Sequence, residues 1–151
     1  MVDFKLTSTA FEEGGQIPKR QTCDGEDVSP DLSWQGAPDE VAALALFMDD
    51  PDARGFIHWV VVDMTGSASG GLAEGVSESP DAPQQGQNDF GRIGYGGPCP
   101  PSGTHRYTFT LYALSEELAL GGTPTATEVR DAMRGRILAE AKLSAAYTRA
   151  R

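Results

Sequence analysis

Phe56-Ile57-His58-Trp59-Val60-Val61-Val62 is the stretch that decides the fold of this 151-residue chain. β-branched and aromatic side chains fill it, no breaker interrupts it, and both of its faces are apolar, as in a strand covered on both sides. Upstream, Val41-Ala42-Ala43-Leu44-Ala45-Leu46-Phe47-Met48 has the same character. Between the two runs, Asp50-Pro51-Asp52-Ala53 reads as a turn, because Asp side chains bond nearby amides and Pro presets φ. Downstream, His105, Tyr107, Phe109 and Leu111 fall on one face of a third strand, and Arg106, Thr108 and Thr110 on the other. Phe4-Lys5-Leu6-Thr7-Ser8 is a weaker strand.

Segments 65–71 and 77–97 are rich in Gly, Pro and Ser and read as surface loops, the second long enough to suggest a functional role. One helix is expected at about 125–135. Thr125-Ala126-Thr127-Glu128 is a capping box, and Ala126, Val129, Met133 and Ile137 recur at helical spacing up to Gly135. From Ala139 to Thr148 the period drops to two, which predicts a final strand. A second, short helix is expected at Ser115 to Ala119. The predicted fold is mainly β: a two-sheet antiparallel sandwich with one C-terminal helix and a closing strand, forming a single domain over 1–151. The 18 Gly and 10 Pro agree with a loop-rich β fold.

A net charge of -10 leaves no basic stripe for nucleic acid and opposes an anionic membrane surface. No run approaches a membrane span. Met1-Val2-Asp3-Phe4-Lys5 lacks a basic start followed by an apolar run, so the expected location is the cytoplasm. Cys23 and Cys99 form no Cys-x-x-Cys pair. Cytosolic thiols are usually reduced, and a bridge needs Cα atoms within about 7 Å, so their pairing stays open.

The only two histidines, His58 and His105, each follow a turn-rich segment. With Asp50 and Asp52 they suggest one polar pocket. His105 and Tyr107 would donate to a phosphate-like anion. A neutral His58 would donate from one nitrogen while Asp50 or Asp52 fixes its tautomer through the other. Gly96-Gly97 would let the backbone approach the ligand. The rival is a hydrolase or phosphotransferase using Asp50/Asp52 or a metal held by His58 and His105. Against it stand the missing βα crossovers and the lack of a later Lys or acidic pair. Asp24-Gly25-Glu26-Asp27 lacks calcium-loop spacing and reads as a solvated turn. A non-enzymatic binding module without cofactor or metal is the expectation.

Asp50-Pro51-Asp52-Ala53, Ile57-His58-Trp59-Val60-Val61-Val62, Asp89-Phe90-Gly91, Gly94-Tyr95-Gly96-Gly97-Pro98 and Pro100-Pro101-Ser102-Gly103-Thr104-His105-Arg106-Tyr107 together resemble the phosphatidylethanolamine-binding protein family. The prokaryotic Raf-kinase-inhibitor-like branch is the nearest, through Asp24-Gly25 and Ser29-Pro30-Asp31-Leu32-Ser33-Trp34. The resemblance implies a β sandwich whose small surface pocket binds phosphate-like or phospholipid head groups. Asp50, Asp52, His58, His105 and Tyr107 would be its pocket residues, and Gly97, Pro98 and Pro101 its rim. It further implies a cis peptide in the Pro-rich segment, a homodimer, and proximity of Cys23 and Cys99. The family's eukaryotic members bind kinases and other signalling partners, a property that nothing in this sequence carries over; regulation of an unidentified protein partner through the loops around the pocket is a separate expectation. Ile57 stands where vertebrate members often carry a second histidine.

Overall fold

The structure, a computed structural model, describes residues 3–149; Met1, Val2, Ala150 and Arg151, at the ends of the expected domain, lie outside it. Along the chain run β1 (Lys5–Thr7), β2 (Leu32–Gln35), β3 (Ala43–Asp50), β4 (Phe56–Thr65), β5 (Gly70–Leu72) and β6 (Gln84–Gln85). They are followed by β7 (Gly103–Leu114), α1 (Ala126–Met133) and β8 (Ile137–Arg149). One sheet has the order β1-β2-β5 and the other β6-β4-β3-β7-β8, with every ladder antiparallel. The fold is the expected mainly β sandwich.

Alternation in the strands builds two apolar layers. Leu44, Leu46 and Met48 of β3 join Tyr107, Phe109 and Leu111 of β7 and Trp34 of β2 between the sheets. The opposite face of the larger sheet, with Ala45, Phe47, Val60 and Val62, is covered by Ala126, Val129 and Met133 of α1. β3 and β4 are therefore apolar on both faces because both faces are covered. The α1 N-terminus is the predicted capping box. Thr125 Oγ1 accepts from Glu128 N at 3.1 Å, and Thr125 N donates to Glu128 Oε1 at 2.9 Å. The helix ends at Met133, Gly135 turns the chain at φ 76°, and Ile137 opens β8 instead of closing the helix.

Several local expectations are corrected. Ser115 to Ala119 forms no helix: Ala119 sits at φ 54°, and the amides of Leu118 and Ala119 donate to the Asp63 carboxylate, each at 2.8 Å. The 65–71 loop includes the start of β5. There Gly70 pairs with Trp34, and a Cβ on Gly70 would come within 2.9 Å of that indole. The 77–97 loop contains β6, which pairs with Val61 and Val62. Every peptide bond among the described residues is trans, so the implied cis bond is not found in the Pro-rich segment.

Candidate functional site

At the pocket end of the larger sheet, β3 stops at Asp50 and the chain makes a single 3-10 turn over Pro51–Ala53. Asp50 caps that turn: its Oδ1 accepts from Asp52 N at 2.9 Å. Its other oxygen, Oδ2, lies 2.5 Å from Nδ1 of His105 on β7. Asp52 accepts the amide of Arg106 at 2.8 Å, which ties the turn to β7. Both Asp50 oxygens are thus engaged, although the residue is only 3% exposed. A buried carboxylate needs such partners.

His58 is placed by a break in the ladder. Met48 pairs with Trp59 and the next residue, Asp49, with Ile57, so His58 is the extra residue of a β-bulge. A bulge re-aims side chains and is common beside functional sites. Its consequence shows in the packing, since Ile57 faces α1 while Trp59, two residues on, faces the smaller sheet. His58 Nδ1 lies 2.6 Å from the carbonyl oxygen of Gly96, and Gly96 N donates back to the His58 carbonyl at 2.9 Å. A carbonyl only accepts, so Nδ1 carries the proton. Gly96 O fixes this tautomer, and not Asp50 or Asp52 as the sequence suggested. Burial pushes the His58 imidazole below its ordinary value, which favours the neutral ring.

These groups line a cavity of about 210 Å³ with Ala53, Phe56, Phe90, Cys99, Pro100 and Pro101. Of the sequence-predicted residues, Asp50, His58, Pro101, His105 and Tyr107 line it. Asp52, Gly97 and Pro98 do not. Asp52 is spent on the Arg106 amide, and Gly97 N donates to Asp27 Oδ1 at 2.8 Å. A Cβ on Gly97 would meet the Gln21 carbonyl oxygen at 2.1 Å, so this glycine is needed for backbone packing. Pro98 accepts from Cys23 N at 3.1 Å.

Sequence reasoning missed the aromatic wall. Phe56, His58 and Phe90 pack edge to face, with ring centroids 4.8 to 5.2 Å apart, and Tyr107 stands at 89° to the His58 ring. Phe56 lies two residues before His58, a spacing that could have flagged it. Phe90 is held by tertiary contacts instead. Buried Asn88 accepts the amides of Phe90 and Arg92 at 3.0 and 3.1 Å, and the ring lies where a Cβ on Gly96 would otherwise sit. Burial, and next the Asp50 charge, pushes the Tyr107 phenol up, so it is an O–H donor.

The rim is closed by a Cys23–Cys99 disulfide with a Cα–Cα distance of 5.4 Å. Asp24 lies in the expected turn, whose Gly25 and Glu26 are exposed, and its carboxylate accepts from Tyr147 Oη at 2.6 Å and pairs with Arg149 at 3.0 Å. Arg149 in turn donates to Pro100 O at 3.3 Å, and Arg92 lies over the Phe90 ring at 5.4 Å. Both guanidinium groups thus touch residues that line the cavity, and the Arg149 charge is met by Asp24. No group of three His, Cys, Asp or Glu among the described residues is arranged to hold a metal ion.

A sequence profile described as phosphatidylethanolamine-binding protein matches residues 7–148. The chain belongs to that family. A UPF0098 protein of Methanothermobacter thermautotrophicus is 48% identical over 151 residues, covering 97% of this chain and 99% of the relative. Among solved structures, a phosphatidylethanolamine-binding protein homologue from Chlamydia trachomatis is 39% identical, with a TM-score of 0.88 and 97% of each chain covered. YbcL of E. coli is 29% identical, with a TM-score of 0.89 over 98% of this chain and 99% of YbcL. Membership in the phosphatidylethanolamine-binding protein family supports a ligand-binding protein of this type. No helix among the described residues is long and apolar enough to cross a membrane.

Proposed function

We propose that the pocket binds a phosphorylated head group or another small phosphate-like anion without transforming it. The observation that carries this reading is the Asp50–His105 pair at 2.5 Å, set beside the Tyr107 hydroxyl in a cavity of about 210 Å³. With Nδ1 turned to the Asp50 carboxylate, the other ring nitrogen of His105 is left for a ligand, and the Tyr107 O–H is free to donate to an anion. Repulsion from Asp50 is offset because both of its oxygens already accept hydrogen bonds. The same engagement makes Asp50 a poor nucleophile, which favours binding over phosphoryl transfer. The cavity is below the usual size for drug-like ligands, which suits a head group and not a whole lipid.

Titration of the protein with inorganic phosphate, followed on the histidine ring resonances, tests the proposal. Saturable shifts at His105 and His58 are expected, and Asp50→Asn should weaken binding about tenfold, or about 1.4 kcal/mol. Rings unmoved by millimolar phosphate would overturn it. The homodimer implied by the family resemblance and an unidentified protein partner at the pocket loops stand as proposals of the same kind, checked by light scattering and by pull-down with and without Asp50→Asn. A cytoplasmic location likewise remains a proposal, and the Cys23–Cys99 disulfide favours an oxidising compartment instead. Alkylation-trapped redox state in fractionated cells decides between the two.

A further inference from the structure

Residues 98–101 bring Cys99, Pro100 and Pro101 to the cavity wall. Three of these four residues are proline and have no N–H to donate, so the segment depends on ties made to it from elsewhere. Cys23 N donates to Pro98 O at 3.1 Å, Arg149 donates to Pro100 O at 3.3 Å, and the Cys23–Cys99 disulfide joins the two segments covalently. All three ties converge on one place, because Arg149 is itself paired with Asp24, the residue after Cys23. The chain leading to that place is anchored independently. Gln21 and Thr22 are buried, and Tyr95 Oη donates to Gln21 O at 2.7 Å. The bridge is therefore a clasp between a fixed loop and a proline-rich wall.

The two sulfurs of the clasp are not equivalent. Cys23 is exposed, whereas Cys99 is half-buried between buried Pro98 and Pro100. Arg149 Nη1 lies 3.7 Å from Cys99 Sγ. A guanidinium beside a sulfur favours its thiolate, and a thiol of lower pKa is the better leaving group in exchange. Resting on the reading of this cavity as a ligand site, we propose that the bridge is an exchangeable disulfide that gates it, with a low-molecular-weight thiol as reductant. The thiolate of that thiol attacks Cys23 Sγ, the S–S bond breaks, and Cys99 leaves with the electron pair as a thiolate beside Arg149. A second thiol attacks the mixed disulfide, which releases Cys23 and the disulfide of the small thiol. The protein gains two electrons, and the protons of the two thiols go to the cysteines or to solvent. Reduction frees the wall and adds negative charge to a cavity that already holds Asp50, and both changes oppose an anionic occupant.

Trapping tests the chemistry. Folded wild-type protein is incubated with glutathione, quenched with N-ethylmaleimide and mapped by mass spectrometry. The expected intermediate carries glutathione on Cys23 and maleimide on Cys99, and it forms without denaturant. Glutathione on Cys99, or a bridge that opens only in unfolded protein, overturns the proposal. The leaving group is checked in Cys23→Ser, where the ultraviolet absorbance of the Cys99 thiolate is followed against pH. Arg149, Asp24 and the cavity groups Asp50, His58, His105 and Tyr107 all bear on that thiol, so the reading is a difference. Adding Arg149→Gln should raise the Cys99 pKa by about one unit. A pKa unmoved by that substitution removes the asymmetry of the clasp and the proposal with it. If Cys23→Ser does not fold, wild-type trapping and ligand titration decide alone.

The histidine ring resonances report the gate itself. Inorganic phosphate is titrated into the oxidised protein and into protein held reduced by dithiothreitol, with circular dichroism recorded on both. Affinity should fall about tenfold on reduction and return on reoxidation, while the β-sheet signal stays unchanged. Equal affinity of the two forms overturns the gate and leaves the ligand site intact. Loss of the β-sheet signal on reduction overturns it as well, because the bridge would then hold the fold and not the wall. Phosphate binding to neither form is a different result, which removes the underlying site and the gate with it.

Discussion

β3 is flanked by two seams of different kinds. Against β7 it runs in unbroken register from Ala43–Leu114 to Asp49–Thr108. Against β4 the register shifts twice, once between Leu44 and Leu46 and once between Met48 and Asp49. Each interruption places a polar group. At one, Asp63 takes φ 52° and its carboxylate receives the amides of Leu118 and Ala119. At the other, His58 is turned to the cavity and locked on Gly96 O. The regular seam makes the core. The interrupted seam makes the places where polar chemistry meets that core, which is the common association of bulges with sites.

The comparison can be broken first at the rim. Cys23 and Cys99 are 76 residues apart, and replacing both by Ser should cost about 4 kcal/mol by loop-closure entropy, read from denaturant unfolding. Amide exchange should then rise around the pocket rim while β3 and β7 stay protected. Uniform loss of protection would show that the two regions are not separate. The regular seam is tested next. Leu46 is fully buried, and Leu46→Ala should cost about 3 kcal/mol as a cavity in the core. Phosphate affinity should be unchanged in the fraction that remains folded.

The smallest effect concerns His58 itself. Its folded pKa is depressed by burial, so the unfolded chain takes up its proton first as pH falls. Stability is fully present above the unfolded value of about 6.5, and declines as pH falls from there to the folded pKa, by at most about 1.4 kcal/mol per pH unit. His58→Asn should flatten that slope in urea unfolding measured across this window. A slope equal to that of wild type would mean the buried imidazole is not the group responsible.

How far the sequence went follows the same division. Period-two alternation placed Tyr107, Phe109 and Leu111 on the inner face of β7, and the capping box placed the start of α1, because both patterns are local. Asp50, His58, His105 and Tyr107 were found for the cavity because turn residues beside strand ends are also local signals, whereas Pro101 came from the family resemblance. The bulge at His58 was not legible: an inserted residue changes pairing without changing composition. Nor was the loss of Gly97, whose amide goes to Asp27 from 70 residues away in the chain. Ser115 to Ala119 has helical composition, but the long-range Asp63 carboxylate takes the amides of its last two residues. Phe90 reaches the cavity only because Asn88 folds its loop and Gly96 leaves room for the ring.

The central claim is that two histidines, each held through Nδ1 by an acceptor oxygen, line one pocket for a phosphate-like anion. Nitrogen-15 spectra of the histidine rings, recorded while methyl phosphate is titrated, test it most directly. The account predicts that His58 is a neutral Nδ1–H tautomer in the free protein, and that the ring resonances of both histidines move on binding. A His58 ring carrying its proton on Nε2, or rings that do not respond to the ligand, would contradict it.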